Sequence, residues 1–121
     1  MVCLSPGGVD QRTKGALECN ELVLTGQLLK PAEIQTTPAG IPIARFVLVH
    51  RSRCSEAGQM RKVECRMSVV ASGRVLTAGI SGWSPGTRLQ VKGFLSRAGY
   101  RAPDMRIELH ALDIQTVSTD G

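Results

Sequence analysis

The chain has 121 residues, 42% of them hydrophobic and 21% charged, with a net charge of +5. This is enough for one domain with a modest core, and it excludes a chain disordered throughout. No apolar run approaches the roughly 20 residues of a membrane-spanning helix. The charge is concentrated. Residues 45–106 hold twelve of the fifteen basic side chains against only Glu56, Glu64 and Asp104, and eleven of the fifteen are arginine. Guanidinium groups pair bidentately with phosphate and stack on bases, so this pattern points to nucleic acid more than to general solubility.

Residues 1–19 show no periodicity and read as a flexible N-terminal extension. The first eight, MVCLSPGG, lack the charged region and apolar stretch of a secretory signal, so a cytoplasmic location is expected. The first strand is predicted over 21–29. Leu22, Leu24 and Leu28 share one face, and Gly26 is expected to mark a bulge or sharp bend. After Lys30-Pro31, residues 33–36 continue extended into a stiff turn, Thr37-Pro38-Ala39-Gly40-Ile41-Pro42. A long second strand follows, with Ile43, Arg45, Val47 and Val49 on one face and Ala44, Phe46, Leu48 and His50 on the other.

That strand ends in Arg51-Ser52-Arg53, and residues 55–59 are predicted to form a hairpin loop of three to five residues with Gly58 at its tip. The return strand, 60–71, alternates most clearly: Val63, Cys65, Met67 and Val69 face one way, and Lys62, Glu64, Arg66 and Ser68 the other. Residues 74–80 read equally as a short helix or a bent connection. The fourth strand is predicted over 87–95 with Leu89 and Val91 inward. An irregular basic loop, 96–104, then leads to a fifth strand over 106–114. Trp83, beside Pro85-Gly86, is expected to pack on the end of the barrel, with Phe46 and Phe94 as core or lining residues.

The four cysteines form no C-x-x-C pair, and neither histidine stands at metal-ligand spacing from them. No structural zinc, disulfide framework or cofactor is expected. Cys65, with Cys54 as a second candidate, is placed in or near the core. His50 and His110 sit in strand patterns with no nucleophile or carboxylate constellation around them. Walker, G-x-S-x-G and H-E-x-x-H motifs are missing too, so the chain is read as non-catalytic.

Five strands, one short helical connection and prominent loops between strands one and two and between four and five describe an all-β OB-fold, a Greek-key barrel. Such barrels bind oligonucleotides across strands two and three and along those loops. The candidate DNA-binding residues are Arg51 and Arg61 on the sheet, and Arg97, Tyr100, Arg101 and Arg106 in and beside the basic loop. Tyr100 stands out as a base-stacking ring, worth roughly 1–3 kcal/mol per base.

Several pieces in this order, Asn20-Glu21-Leu22-Val23-Leu24-Thr25-Gly26, Thr37-Pro38-Ala39-Gly40-Ile41-Pro42, Phe46-Val47-Leu48 with His50-Arg51-Ser52, Val91-Lys92-Gly93-Phe94 and Leu109-His110-Ala111, resemble the family of primosomal replication protein N, or PriB. The likeness spans 20–118, leaving 119–121 as a tail. It implies a homodimeric OB-fold related to single-stranded DNA-binding proteins. Its implied role is to bind single-stranded DNA during replication restart, stimulate the primosomal helicase PriA and pass the complex to the helicase-loading components of the primosome. The family's DNA contacts fall on positions matching Arg51, Arg101 and Arg106. Two positions depart from the pattern: Glu64 stands where some members carry tryptophan, and Gln35 where they carry lysine. Both changes imply lost DNA contacts. The rival expectation is a protein-interaction OB module whose basic face recruits a partner protein and binds DNA weakly.

Overall fold

Alternation of apolar and polar residues builds a barrel that closes on itself. The computed structural model describes residues 18–99, 101 and 105–117. Most of the predicted N-terminal extension, the tail 119–121 and Tyr100 lie outside the described residues. Strands β1 (Leu22–Leu28), β2 (Glu33–Thr36), β3 (Pro42–Glu56), β4 (Gln59–Ser72), β5 (Arg88–Arg97) and β6 (Ile107–Thr116) are joined in the order β1-β5-β6-β4-β3-β2, and β1 also pairs with β3. Closure therefore takes five strands, as the sequence predicts, while β2 lies alongside the first residues of β3. The β4–β6 pairing, Val69↔Leu109 and Val70↔His110, is parallel. The chain between them runs through the short helix α1 (Arg74–Thr77), a 3-10 turn at Ile80–Gly82 and then β5.

The core is what the period of two selects. Ala44, Phe46 and Leu48 from β3, Val69 and Ala71 from β4, Leu89 and Val91 from β5, and Leu109 and Ala111 from β6 are all buried together with Leu28 and Ile80. Trp83 packs against this cluster and meets Phe46 edge-on at 6.3 Å between ring centres. Phe94 is a correction: Gly93 and Leu95 take the inward positions on β5, and Phe94 stacks on His110 outside the barrel, at 5.1 Å and 5°.

Glycines act here by close approach. The pairing of β1 with β5 runs without a shift from Leu22↔Gly93 to Gln27↔Arg88, so Gly26 makes no bulge. A Cβ on Gly26 would lie 2.5 Å from the Val49 carbonyl oxygen and 2.9 Å from Leu48 Cγ. The missing side chain is what lets β1 press onto β3 and close the barrel. The bulge falls instead on β6. Lys92 pairs with Asp113 and Gly93 with Ala111, which leaves Leu112 unpaired and 68% exposed.

Strands β3 and β4 stay paired from Ile43↔Ser72 out to Glu56↔Gln59. Their turn is tighter than the predicted loop: only Ala57 (φ 53°) and Gly58 (φ 79°) lie between the strands, both left-handed, as a two-residue hairpin of the I′ kind requires. Beyond Val49 the pair leaves the barrel, and every residue from Arg51 through Lys62 is exposed. Cys54 and Cys65 belong to this projecting ribbon and are exposed, contrary to the expectation of a core position. Their alternation was right, but the barrel that would cover that face ends before reaching them.

Candidate nucleic-acid interface

In an antiparallel pair, residues directly opposite share a face. Register therefore assigns the outward face of β3 and β4: Arg45 with Val70, Val47 with Ser68, Val49 with Arg66, Arg51 with Glu64, and Arg53 with Lys62. Five cations line one face of one hairpin. From Arg45 to Arg53 the strand advances roughly 27 Å at 3.3–3.4 Å per residue. That length suits the several nucleotides that one OB barrel takes up.

The face has two parts. Over the barrel, a cleft of about 360 Å³ is lined by Lys30, by Glu33 on β2, by Arg45, Val47 and Ser68 on β3 and β4, and by Arg106 and Glu108 at the start of β6. Arg45 Nη1 donates to Glu108 Oε2 at 2.9 Å, and the Glu108 side chain is only 14% exposed. Past the barrel, the ribbon presents Arg51, Ser52, Arg53, Lys62 and Glu64 around a shallow groove. Arg51 Nε donates to Glu64 Oε2 at 2.7 Å with both side chains 63% exposed. An exposed pair of this kind contributes about 0–1 kcal/mol. It aims the guanidinium without holding it against a phosphate.

The predicted residues separate accordingly. Arg51 lies on the cationic face of the ribbon. Arg61 lies opposite Cys54 on the other face, where its Nε pairs with Glu56 Oε1 at 2.8 Å. Arg106 lines the barrel cleft, and its carbonyl accepts from Ala98 N–H at 2.9 Å across the base of the β5–β6 loop. Arg97 donates from Nε to the Gly99 carbonyl at 3.1 Å, and Arg101 is exposed in the same loop. Tyr100, the predicted stacking ring, is outside the described residues. Among the described residues no three His, Cys, Asp or Glu side chains converge as a metal site needs, and no helix is long and apolar enough to cross a membrane.

Residues 20–111 match the family model described as "Another single-strand binding protein family". The replication restart protein PriB of Proteus mirabilis is 37% identical over 103 residues, covering 85% of this chain and 98% of that protein. PriB of Photorhabdus laumondii is 41% identical over 100 residues, 83% of this chain and 95% of that protein. The chain belongs to the PriB family. PriB from Ralstonia solanacearum superposes with a TM-score of 0.69 at 27% identity, over 84% of this chain and 98% of that one. The single-stranded DNA-binding protein of Plasmodium falciparum, solved in complex with single-stranded DNA, shares the fold with a TM-score of 0.70 at 16% identity, over 86% of this chain and 99% of that one.

Within this PriB-family barrel the sequence reading put Arg53, Lys62 and Arg66 on the two binding strands without naming them as contacts, and left Arg45 out. A signal for them existed: Lys62, Glu64 and Arg66 already shared a face by alternation, and only the register was needed to add Arg51 and Arg53. Glu64, one of the two departures from the family pattern, sits in the middle of that face as the partner of Arg51.

Proposed function

We propose that this protein is a non-catalytic accessory factor of the primosome. It binds single-stranded DNA along the outward face of β3 and β4 and beside the β5–β6 loop, and it stimulates the helicase PriA during replication restart. The single observation that carries this reading is the row of cations from Arg45 to Arg53 and from Lys62 to Arg66 on one face of a PriB-family barrel. Arginines hold phosphates there, the loop with Tyr100, Arg101 and Arg106 completes the surface, and sequence preference is low because few contacts reach base edges. The domain spans 20–118. It acts as a homodimer in the cytoplasm and hands the complex to the helicase-loading components of the primosome.

One observation favours a second reading. Arg45 and Arg51 each already hold a carboxylate, which is how the same face would grip an acidic partner protein. Fluorescence anisotropy with labelled oligo-dT across a salt series separates the two. Binding at micromolar affinity or tighter that falls steeply with salt supports DNA as the ligand. Undetectable binding at low salt, with stimulation of the helicase intact, would leave the protein-interaction reading standing.

A further inference from the structure

The pairing of β1 with β3 ends at Gln27↔Val49, and a second cleft of about 390 Å³ opens there, where the ribbon leaves the barrel. It is lined by Thr25, Gly26, Gln27, Val49, His50, Arg51, Ser52 and Arg88. Its charge distinguishes it from the two clefts described above. The barrel cleft holds Glu33 and Glu108 among its cations, and the ribbon groove holds Glu64. This one is lined by two arginines and no acid. Arg88, placed across from Gln27 on β5, is exposed and makes no ion pair among the described residues.

The wall is also fixed in place. His50 Nδ1 lies 2.7 Å from the Thr25 carbonyl oxygen, and His50 Nε2 lies 2.8 Å from Ser52 Oγ. A carbonyl only accepts, so Nδ1 carries the proton in the neutral ring and Nε2 accepts from the Ser52 hydroxyl. The imidazole thereby bolts β1 to β3 at the rim of the cleft, between the strands that carry Gln27 and Arg51.

We propose that this cleft is a phosphate subsite, in which Arg88 and Arg51 hold a phosphodiester of the bound strand where it passes from the ribbon onto the β1–β5 side of the barrel. The inference rests on the reading of the protein as a single-stranded DNA binder. Arg88 brings a guanidinium with no carboxylate partner among the described residues, beside Arg51, which Glu64 holds from outside the cleft through Nε. Two converging guanidiniums are the arrangement that recognises a phosphate, and the rigid rim spares the site the cost of ordering it. Arg51 then serves two surfaces, the ribbon groove and this cleft, and Arg88 extends the path by a contact the ribbon alone does not reach.

The test is anisotropy of the full chain with labelled dT30 from 50 to 300 mM salt, for the native protein, Arg88→Gln and Arg88→Lys. Thermal unfolding of each variant confirms an intact barrel. Arg88→Gln is expected to weaken binding about three- to tenfold and to lower the slope of log affinity against log salt by about 0.7, the loss of one phosphate contact on a single strand. Arg88→Lys is expected to keep the slope and lose only part of the affinity, because it retains the charge without the fork. Native protein that binds, with an Arg88→Gln variant of unchanged affinity, or of reduced affinity at unchanged slope, overturns the subsite. Native protein that does not bind DNA overturns the underlying function instead.

Discussion

The β3–β4 hairpin is two structures in one. In its barrel half, Ala44, Phe46 and Leu48 are buried against Val69 and Ala71, and strands β1, β2 and β6 cover its edges. In its ribbon half, from Arg51 to Lys62, no residue is buried and the strands have only each other. An isolated two-stranded ribbon is marginally stable at best. This one stands because it continues strands that the barrel already fixes. The comparison teaches a division of labour: apolar alternation in the first half sets the fold, while cations in the second half are free of packing demands and available to a ligand.

The comparison breaks most visibly at the barrel. Leu48→Ala removes a fully buried side chain and should destabilise the protein by about 2–5 kcal/mol, read by denaturant unfolding. The triple variant Arg51→Ala, Arg53→Ala, Arg66→Ala should unfold within about 0.5 kcal/mol of native for each site, as exposed positions do. It should nevertheless lose on the order of a hundredfold in oligo-dT affinity at low salt, with the salt slope reduced by about 2. Equal stability losses in the two halves would show that the ribbon carries the fold after all. A smaller effect belongs to the loop. Arg101→Ala with Arg106→Ala should weaken binding about tenfold and flatten the slope, and an unchanged slope would remove that loop from the interface.

Smallest, and opposite in sign, is Glu64→Gln. It frees Arg51 from its carboxylate and removes one negative charge from the face, so affinity should rise about two- to fivefold with a slightly steeper slope. Weaker binding by this variant would mean that Glu64 positions Arg51 productively.

Much of the barrel was legible because its physics is local. Leu89 and Val91 on β5, and Ala44, Phe46 and Leu48 on β3, alternate as a sheet packed on one side must, and the structure buries all five. The candidate site was less legible because it depends on register. A five-residue loop over 55–59 would set Cys54 across from Met60 and Arg51 across from Val63. The observed two-residue turn sets Arg51 across from Glu64, on the face of Lys62 and Arg66. One residue of register decides which face an arginine serves. Ala57 hid that turn, since a left-handed φ is uncommon outside glycine and Asn-Gly is the usual sign of such a hairpin.

Burial of Cys65 failed for a related reason: alternation tells which side a residue faces, not whether anything lies there. The bulge at Leu112 did leave a trace, because the core positions of β6 change from odd at Leu109 and Ala111 to even at Ile114.

Amide chemical-shift mapping with oligo-dT tests the central claim most directly. The ribbon account predicts the largest shifts at residues 51–53 and 62–66, continuing over Arg45 and Arg106. Shifts centred on the outer face of β1 and β5, at Val23 and Lys92, with the ribbon amides unmoved, would contradict it.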